Sequence, residues 1–216
     1  LAPAAIIHRD RELVVAEAEA IECESHGAVC IGRALERNST LMKLDLSFNE
    51  NLSDKGATEL AEMLRCNSTL KSLDLSDNQN ISDGGIGQIA NALSENKCGL
   101  TFLDLSYNGK MTDGAVTQSL AEAIKVNTTL KNLALRGVSR EFGFDGERSF
   151  AATGEIGSCC GKTPSKRPGL TDDSAAALSD ALAENETLTT LDLAQNTRIS
   201  FNNTFMQCRS CLWTTN

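Results

Sequence analysis

The stretch Leu41-Met-Lys-Leu-Asp-Leu-Ser-Phe-Asn49 decides the fold, because the chain keeps returning to it. It comes back as Leu70-Lys-Ser-Leu-Asp-Leu-Ser-Asp-Asn78, as Leu100-Thr-Phe-Leu-Asp-Leu-Ser-Tyr-Asn108 and as Leu188-Thr-Thr-Leu-Asp-Leu-Ala-Gln-Asn196. A weaker copy runs Leu130-Lys-Asn-Leu-Ala-Leu-Arg136. The starting leucines lie 29, 30, 30 and 58 residues apart. Self-similarity at such a period marks a repeat array. The last step is two periods long and holds one copy, so it contains an insertion.

Within each copy, Leu-x-x-Leu-x-Leu alternates apolar and polar residues at strand period. Further out, Ser53-Asp54, Ser82-Asp83, Thr112-Asp113 and Thr171-Asp172 read as helix N-caps. Apolar residues follow at helical spacing, as in Ala57, Leu60, Ala61 and Leu64, or Ala115, Leu120 and Ile124. Each unit is thus a strand, a loop and a helix, and neither half buries its apolar face unless neighbours stack on it. Parallel strands stack about 4.8 Å apart, whereas helices pack at about 8–10 Å, so the stack must bend. The expected fold class is α/β: a solenoid, or horseshoe, with parallel strands on the concave face and helices on the convex face. Leu44 and Leu46 should point into the core, and the residues between them should face the concave side. Asn49, Asn78, Asn108 and Asn196 end the strands, where a side-chain amide satisfies loop backbone groups.

The recurring phrase Asn-x-Thr-Leu-x-x-Leu-Asp-Leu-Ser-x-Asn-x-x-Ile-Ser-Asp-x-Gly-Ala resembles the leucine-rich repeat family, in particular its ribonuclease-inhibitor subtype. It is similar to the repeats of NOD-like receptors and Ran GTPase-activating proteins. The resemblance covers about Gly27 to Asn196 less the insertion, and it implies a protein-binding surface on the concave side and its rims. On this reading residues 1–26 are an N-terminal helical cap or a degenerate repeat, and 27–136 are regular repeats. Residues 137–168 are an inserted mobile loop, 169–200 a further repeat, and 201–216 an irregular tail that reads as truncated. The insertion and the tail read either as a functional loop and unusual cap or as translated intron sequence.

The formal net charge of −9 argues against nucleic acid, which needs clustered Lys and Arg, and against an anionic membrane surface. No apolar run is long enough to span a bilayer. The chain shows no secretory leader and does not begin with Met, which is consistent with a fragment of a larger protein. A cytoplasmic setting follows from the cysteines: Cys30 falls at an inward helix position, and Cys66 and Cys98 lie near helix ends of different repeats. The eight thiols are therefore expected free and mostly buried. Cys208-x-x-Cys211 with Cys159-Cys160 could supply four zinc thiolates, but the adjacent pair is an unusual ligand set, and no metal is expected. The sequons at Asn38, Asn51, Asn67, Asn80, Asn127, Asn185 and Asn202 are products of the repeat consensus rather than glycosylation sites.

No catalytic constellation emerges. His8 and His26 have no Ser or Cys partner, and Gly161-Lys162-Thr163 lacks the upstream glycine and the strand of a phosphate loop. No cofactor is expected, and the chain is read as no enzyme. The candidate partner-binding residues are those on the predicted concave row and its edge. They are Lys43, Asp45 and Ser47; Ser72, Asp74 and Ser76; Phe102, Asp104, Ser106 and Tyr107; Asn132 and Arg136; and Thr190 and Asp192. Asp45, Asp74 and Asp104 should form a ladder of like charges whose repulsion raises their pKa values, and which suits a partner with a basic surface. The bland reading is that Asp is the habitual, solvated residue of this repeat position. Phe102 is the one large apolar residue of the row, a hot-spot candidate, while Phe48 is expected to tuck into the loop core. The leading function is a protein–protein interaction module. One alternative is a GTPase-activating protein of the Ran type, for which Arg136 would be the only strand-face arginine; another is a non-functional fragment.

Overall fold

The computed structural model describes residues 6–9, 12–15, 26–137, 170–196, 198–200 and 212–214. Short strands recur at the repeat period: β3 (Lys43–Asp45), β4 (Ser72–Asp74), β5 (Phe102–Asp104), β6 (Asn132–Ala134) and β7 (Thr190–Asp192). Each pairs in parallel with the next, Leu44 opposite Leu73, Leu73 opposite Leu103, Leu103 opposite Leu133 and Leu133 opposite Leu191. Hydrogen bonds between layers continue past the strands, for example from the Phe48 amide to the Ser76 carbonyl at 3.0 Å.

The sheet extends at both ends. β1 (Ile6–Arg9) pairs antiparallel with β2 (Glu12–Val15), which lies parallel to β3. Of the two expectations for residues 1–26, a helical cap or a degenerate repeat, Glu12–Val15 is a strand and not a helix, and Leu13 sits opposite Leu44. At the other end β8 (Leu212–Thr214) pairs parallel with β7, giving eight strands in sequence order. The remainder of 201–216, and 138–169, lie outside the described residues.

Helices line the other side in the same order: α1 (His26–Leu35), α2 (Asp54–Cys66), α3 (Asp83–Ser94), then α4 (Asp113–Ala115), a π-helical turn over Val116–Leu120 and α5 (Ala121–Val126), and finally α6 (Asp172–Glu184). Each packs against its sequence neighbour. Between the two layers runs one continuous core, with Leu44, Leu73, Leu103, Leu133 and Leu191 from the strands and Leu60, Leu64, Ile89, Leu120 and Leu178 from the helices all buried. The leucine alternation was therefore a direct reading of which face is covered.

Two repeats are one residue longer than the first, and they absorb it differently. Ser53 to Asn67 spans α2 in 14 steps, whereas Thr112 to Asn127 takes 15. The extra residue lies beside Gln118 and is taken up by the π turn, which widens one helical turn without breaking the helix. In the α3 repeat the extra residue follows the helix, where Asn96 adopts a left-handed φ of 52°. Asn is among the residues that tolerate this conformation best.

Amide side chains close each layer. Asn78 is fully buried: its Oδ1 accepts from the Asn49 amide at 2.9 Å, and its Nδ2 donates to the Leu46 and Leu75 carbonyls at 2.9 and 3.0 Å. Asn108 repeats the arrangement, and Asn196 donates to the Leu135 and Leu193 carbonyls. A second ladder joins helix ends to strands: Nδ2 of Asn67, Asn127 and Asn185 each donates to backbone carbonyls of the preceding layer. The sequon nitrogens of these three residues are consumed by the fold. Cys98 is buried as expected, but Cys30 and Cys66 are exposed. The helical pattern at α1 turns Ile31 and Leu35 inward, so Cys30 faces outward.

The double-length step is resolved by geometry. β6 and β7 pair in the common register although Leu133 and Leu191 are two periods apart. Thr171 caps α6 and donates its amide to Asp113 at 2.8 Å. The same contact joins Ser82 to Asp54 and Thr112 to Asp83, both at 2.7 Å. Thus β6 and α6 are the two halves of one layer, separated by residues 138–169, and Thr171–Glu184 is not the start of a separate repeat.

Candidate protein-interaction face

The strand register aligns the predicted residues into rows. One row crosses the sheet as Lys43, Ser72, Phe102, Asn132 and Thr190, and the next as Asp45, Asp74, Asp104, Ala134 and Asp192. Alternation along each three-residue strand buries the central leucine against the helices and leaves its neighbours on the opposite face. A third row, just past the strands, holds Ser47, Ser76, Ser106, Arg136 and Ala194.

The aspartates have a structural task. Asp45 Oδ1 accepts from the Ser47 amide at 2.9 Å and its hydroxyl at 2.6 Å. Asp74 Oδ1 does the same with Ser76 at 2.9 and 2.7 Å, and Asp104 Oδ1 takes the Ser106 amide at 2.8 Å. Such bonds from Asp to the backbone two residues on fix a turn. They explain why Asp recurs there, and they involve only one carboxylate oxygen of each residue.

Burial pushes the Asp74 carboxyl up, the Ser76 hydrogen bonds pull it down, and the charges of Asp104 and Asp45 push it up again, leaving it above the ordinary carboxylate value. The ladder repulsion expected from the sequence is therefore present at Asp74 but is secondary to desolvation.

At the C-terminal side of the face the pattern changes. Ala134 takes the Asp position, and Arg136 binds Asp192 through Nε and Nη2, both 2.6 Å from Oδ2. Asp192 is only 8% exposed, and the hydrogen bond that Arg136 donates to it, followed by that with Tyr107, raises the already high Arg136 pKa. Ser106 is buried too, its Oγ accepting from the Arg136 amide at 3.1 Å. Of the predicted contact residues, Ser106 and Asp192 are thus withdrawn from solvent, while Lys43 and Arg136 are the most open.

Phe102 and Tyr107 are half-buried on β5 and its following loop. Phe48 departs from expectation: it is 60% exposed. Phe48, Asp77, Tyr107 and Gln195 occupy equivalent places with φ between 55° and 64°, and this left-handed turn swings the side chain away from the loop core. The sequence reading also missed a polar ladder along the rim, in which each first-turn Asp receives the next layer's N-cap. Burial would raise the Asp113 carboxyl, but hydrogen bonds from Ser174 and Thr171, with the charge of Arg198, outweigh it and hold the group below the usual value. The Ser/Thr-Asp pair recurring at the repeat period was its available signal.

A leucine-rich repeat family model matches residues 37–61, 66–90 and 184–200. The chain carries leucine-rich repeats. These matches coincide with layers whose strands, helices and Asn ladders are described above, and the fold is the leucine-rich repeat solenoid. Among solved structures, the chain is similar to "Leiomodin-1 Actin-Binding Site 2 (ABS2)", with 29% identity, a TM-score of 0.48, and coverage of 57% of this chain and 68% of that one. It is more distantly similar to a chain of the Rad7 and Elc1 complex in yeast, at 13% identity and a TM-score of 0.33, over 81% of this chain and 55% of that one. No curated protein matches the chain. Among the described residues no helix is long and apolar enough to cross a membrane, and no cluster of three or more His, Cys, Asp or Glu could hold a metal ion.

Proposed function

We propose that this leucine-rich repeat array is a protein–protein interaction module, of the ribonuclease-inhibitor type, that binds a basic partner surface in the cytoplasm without catalysing a reaction. The observation that carries the reading is the concave row itself. Asp45, Asp74 and Asp104 align on adjacent strands beside Phe102, with one oxygen of each engaged in its turn. Sheets of parallel strands are ordinarily covered on both faces, and among the described residues helices cover only one. The helix of ten or more residues in each described layer from α1 to α6, and the 29–30-residue step, support the subtype. The reading as a GTPase-activating protein of the Ran type asks for an arginine free to reach a nucleotide, and the Asp192 pairing of Arg136 speaks against it.

The test is a proximity-labelling screen with this chain as bait, beside a variant carrying Asp74→Lys, Phe102→Ala and Asp104→Lys whose helicity by circular dichroism is unchanged. Proteins labelled by the first bait and lost with the second support the concave face. Identical sets from both baits remove it as the binding surface.

A further inference from the structure

We propose that the β3–β5 part of the concave face receives an α-helix of the partner carrying Lys or Arg at positions i, i+4 and i+7, an inference that rests on the interaction-module reading. Among the described residues only these three strands offer a carboxylate in the row that Arg136 does not pair: β2 has Val14, β6 has Ala134, β8 has Thr214, and Asp192 on β7 is neutralised by Arg136. The acidic footprint is therefore bounded, three residues wide and one residue deep. The aromatic ring of Phe102 stands in the adjacent row on β5, about 6.7 Å along the strand from Asp104.

Spacing selects the occupant. Three neighbouring strands carry their aspartates over about 9.6 Å, in steps of about 4.8 Å. On a helix, residues i, i+4 and i+7 lie on one face and span about 10.5 Å at 1.5 Å per residue. An extended segment presents same-side residues about 6.7 Å apart, so three of them span about 13.4 Å. That overshoots the row, and the mismatch grows on a concave surface, where side-chain tips converge. The helix fits the row without skipping a strand. Its arginines meet the carboxylate oxygens not engaged by Ser47, Ser76 and Ser106. The aliphatic part of one arginine, or its guanidinium plane, lies on Phe102.

Two fluorescein-labelled, alanine-based helical peptides of identical composition test this, one with arginines at i, i+4 and i+7 and the other with them at i, i+2 and i+5. Fluorescence anisotropy at low salt should give at least tenfold tighter binding for the first peptide. That preference should fall at least tenfold in an Asp74→Asn, Asp104→Asn variant and several-fold in Phe102→Ala, each shown folded by thermal melting. Equal affinity for the two peptides, or an unchanged preference in the carboxamide variant, overturns the helix proposal. Because the labelling screen does not depend on partner conformation, loss of labelling in its triple variant together with equal peptide affinities leaves the concave site standing and removes the helix alone.

Discussion

Arg136 and Asp192 join β6 to β7 by two 2.6 Å contacts to a single carboxylate oxygen, at the step where the two strands are farthest apart in sequence. Among the described residues, removing the guanidinium leaves a nearly buried carboxylate with one amide partner, that of Ala194 at 3.0 Å. Arg136→Ala should cost about 1–2 kcal/mol, toward the low end of a broken charged hydrogen bond because Arg136 itself is half-exposed. Urea unfolding measures it, and an Asp192→Ala, Arg136→Ala double-mutant cycle isolates the pair. A coupling energy near zero would mean that the pair is a surface contact.

The Asn ladder should be far less tolerant. Asn78→Ala strips a fully buried site of the acceptor used by the Asn49 amide and of one of the two side-chain amide donors to each of the Leu46 and Leu75 carbonyls. A loss of about 2–4 kcal/mol is expected. Asn51→Ala, at an exposed position of the preceding layer, should stay within about 0.5 kcal/mol.

Deleting Gln118 should convert the π turn at Val116–Leu120 into ordinary α-helix, because it returns the Thr112–Asn127 segment to the length of its α2 counterpart. Gln118 is exposed, so no core contact is lost. The melting temperature should rise by about 2–4 °C, as for a gain of about 1 kcal/mol in a chain of this size. A fall would show that the bulge relieves strain elsewhere.

Two carboxylates should respond to pH with opposite signs. Asp113 is held below its ordinary value of 3.8, so it stabilises the fold above that pH, and the contribution is lost as pH falls through the lowered native value. Asp113→Asn should therefore flatten the acid limb of a stability–pH curve. Asp74 is raised above 3.8, so its ionisation opposes folding once pH climbs past the native value, while below 3.8 the effect vanishes. Asp74→Asn, which keeps an acceptor for Ser76, should stabilise the protein at pH 7 and be neutral near pH 3. Chemical denaturation at the two pH values decides it.

The solenoid was legible because Leu44, Leu73, Leu103, Leu133 and Leu191 obey one periodicity, and burial is what periodicity encodes. The same holds for Asn78 and Asn108, whose chemistry leaves few roles for a buried amide. What escaped was set by single-residue details. The outward turn of Phe48 depends on a left-handed φ at a residue type that rarely adopts one. Cys30 was misplaced by one residue of helical phase, since Ile31 and Leu35 take the inward positions of the first helix. The Asp row was read as free charge, yet its serines tie down one oxygen of each. Arg136 looked available from sequence because its partner lies more than fifty residues away.

The split layer formed by β6 and α6 bears on how the chain can change over time. Its connection runs over residues 135–171, where the preceding layer manages with 105–112. A lengthening of about fivefold costs only about 1.4 kcal/mol in closure entropy, and besides sharing the core each half of the layer is bound sideways to its neighbours. At this point the solenoid thus constrains where the two ends of the connection lie, and hardly constrains how many residues run between them.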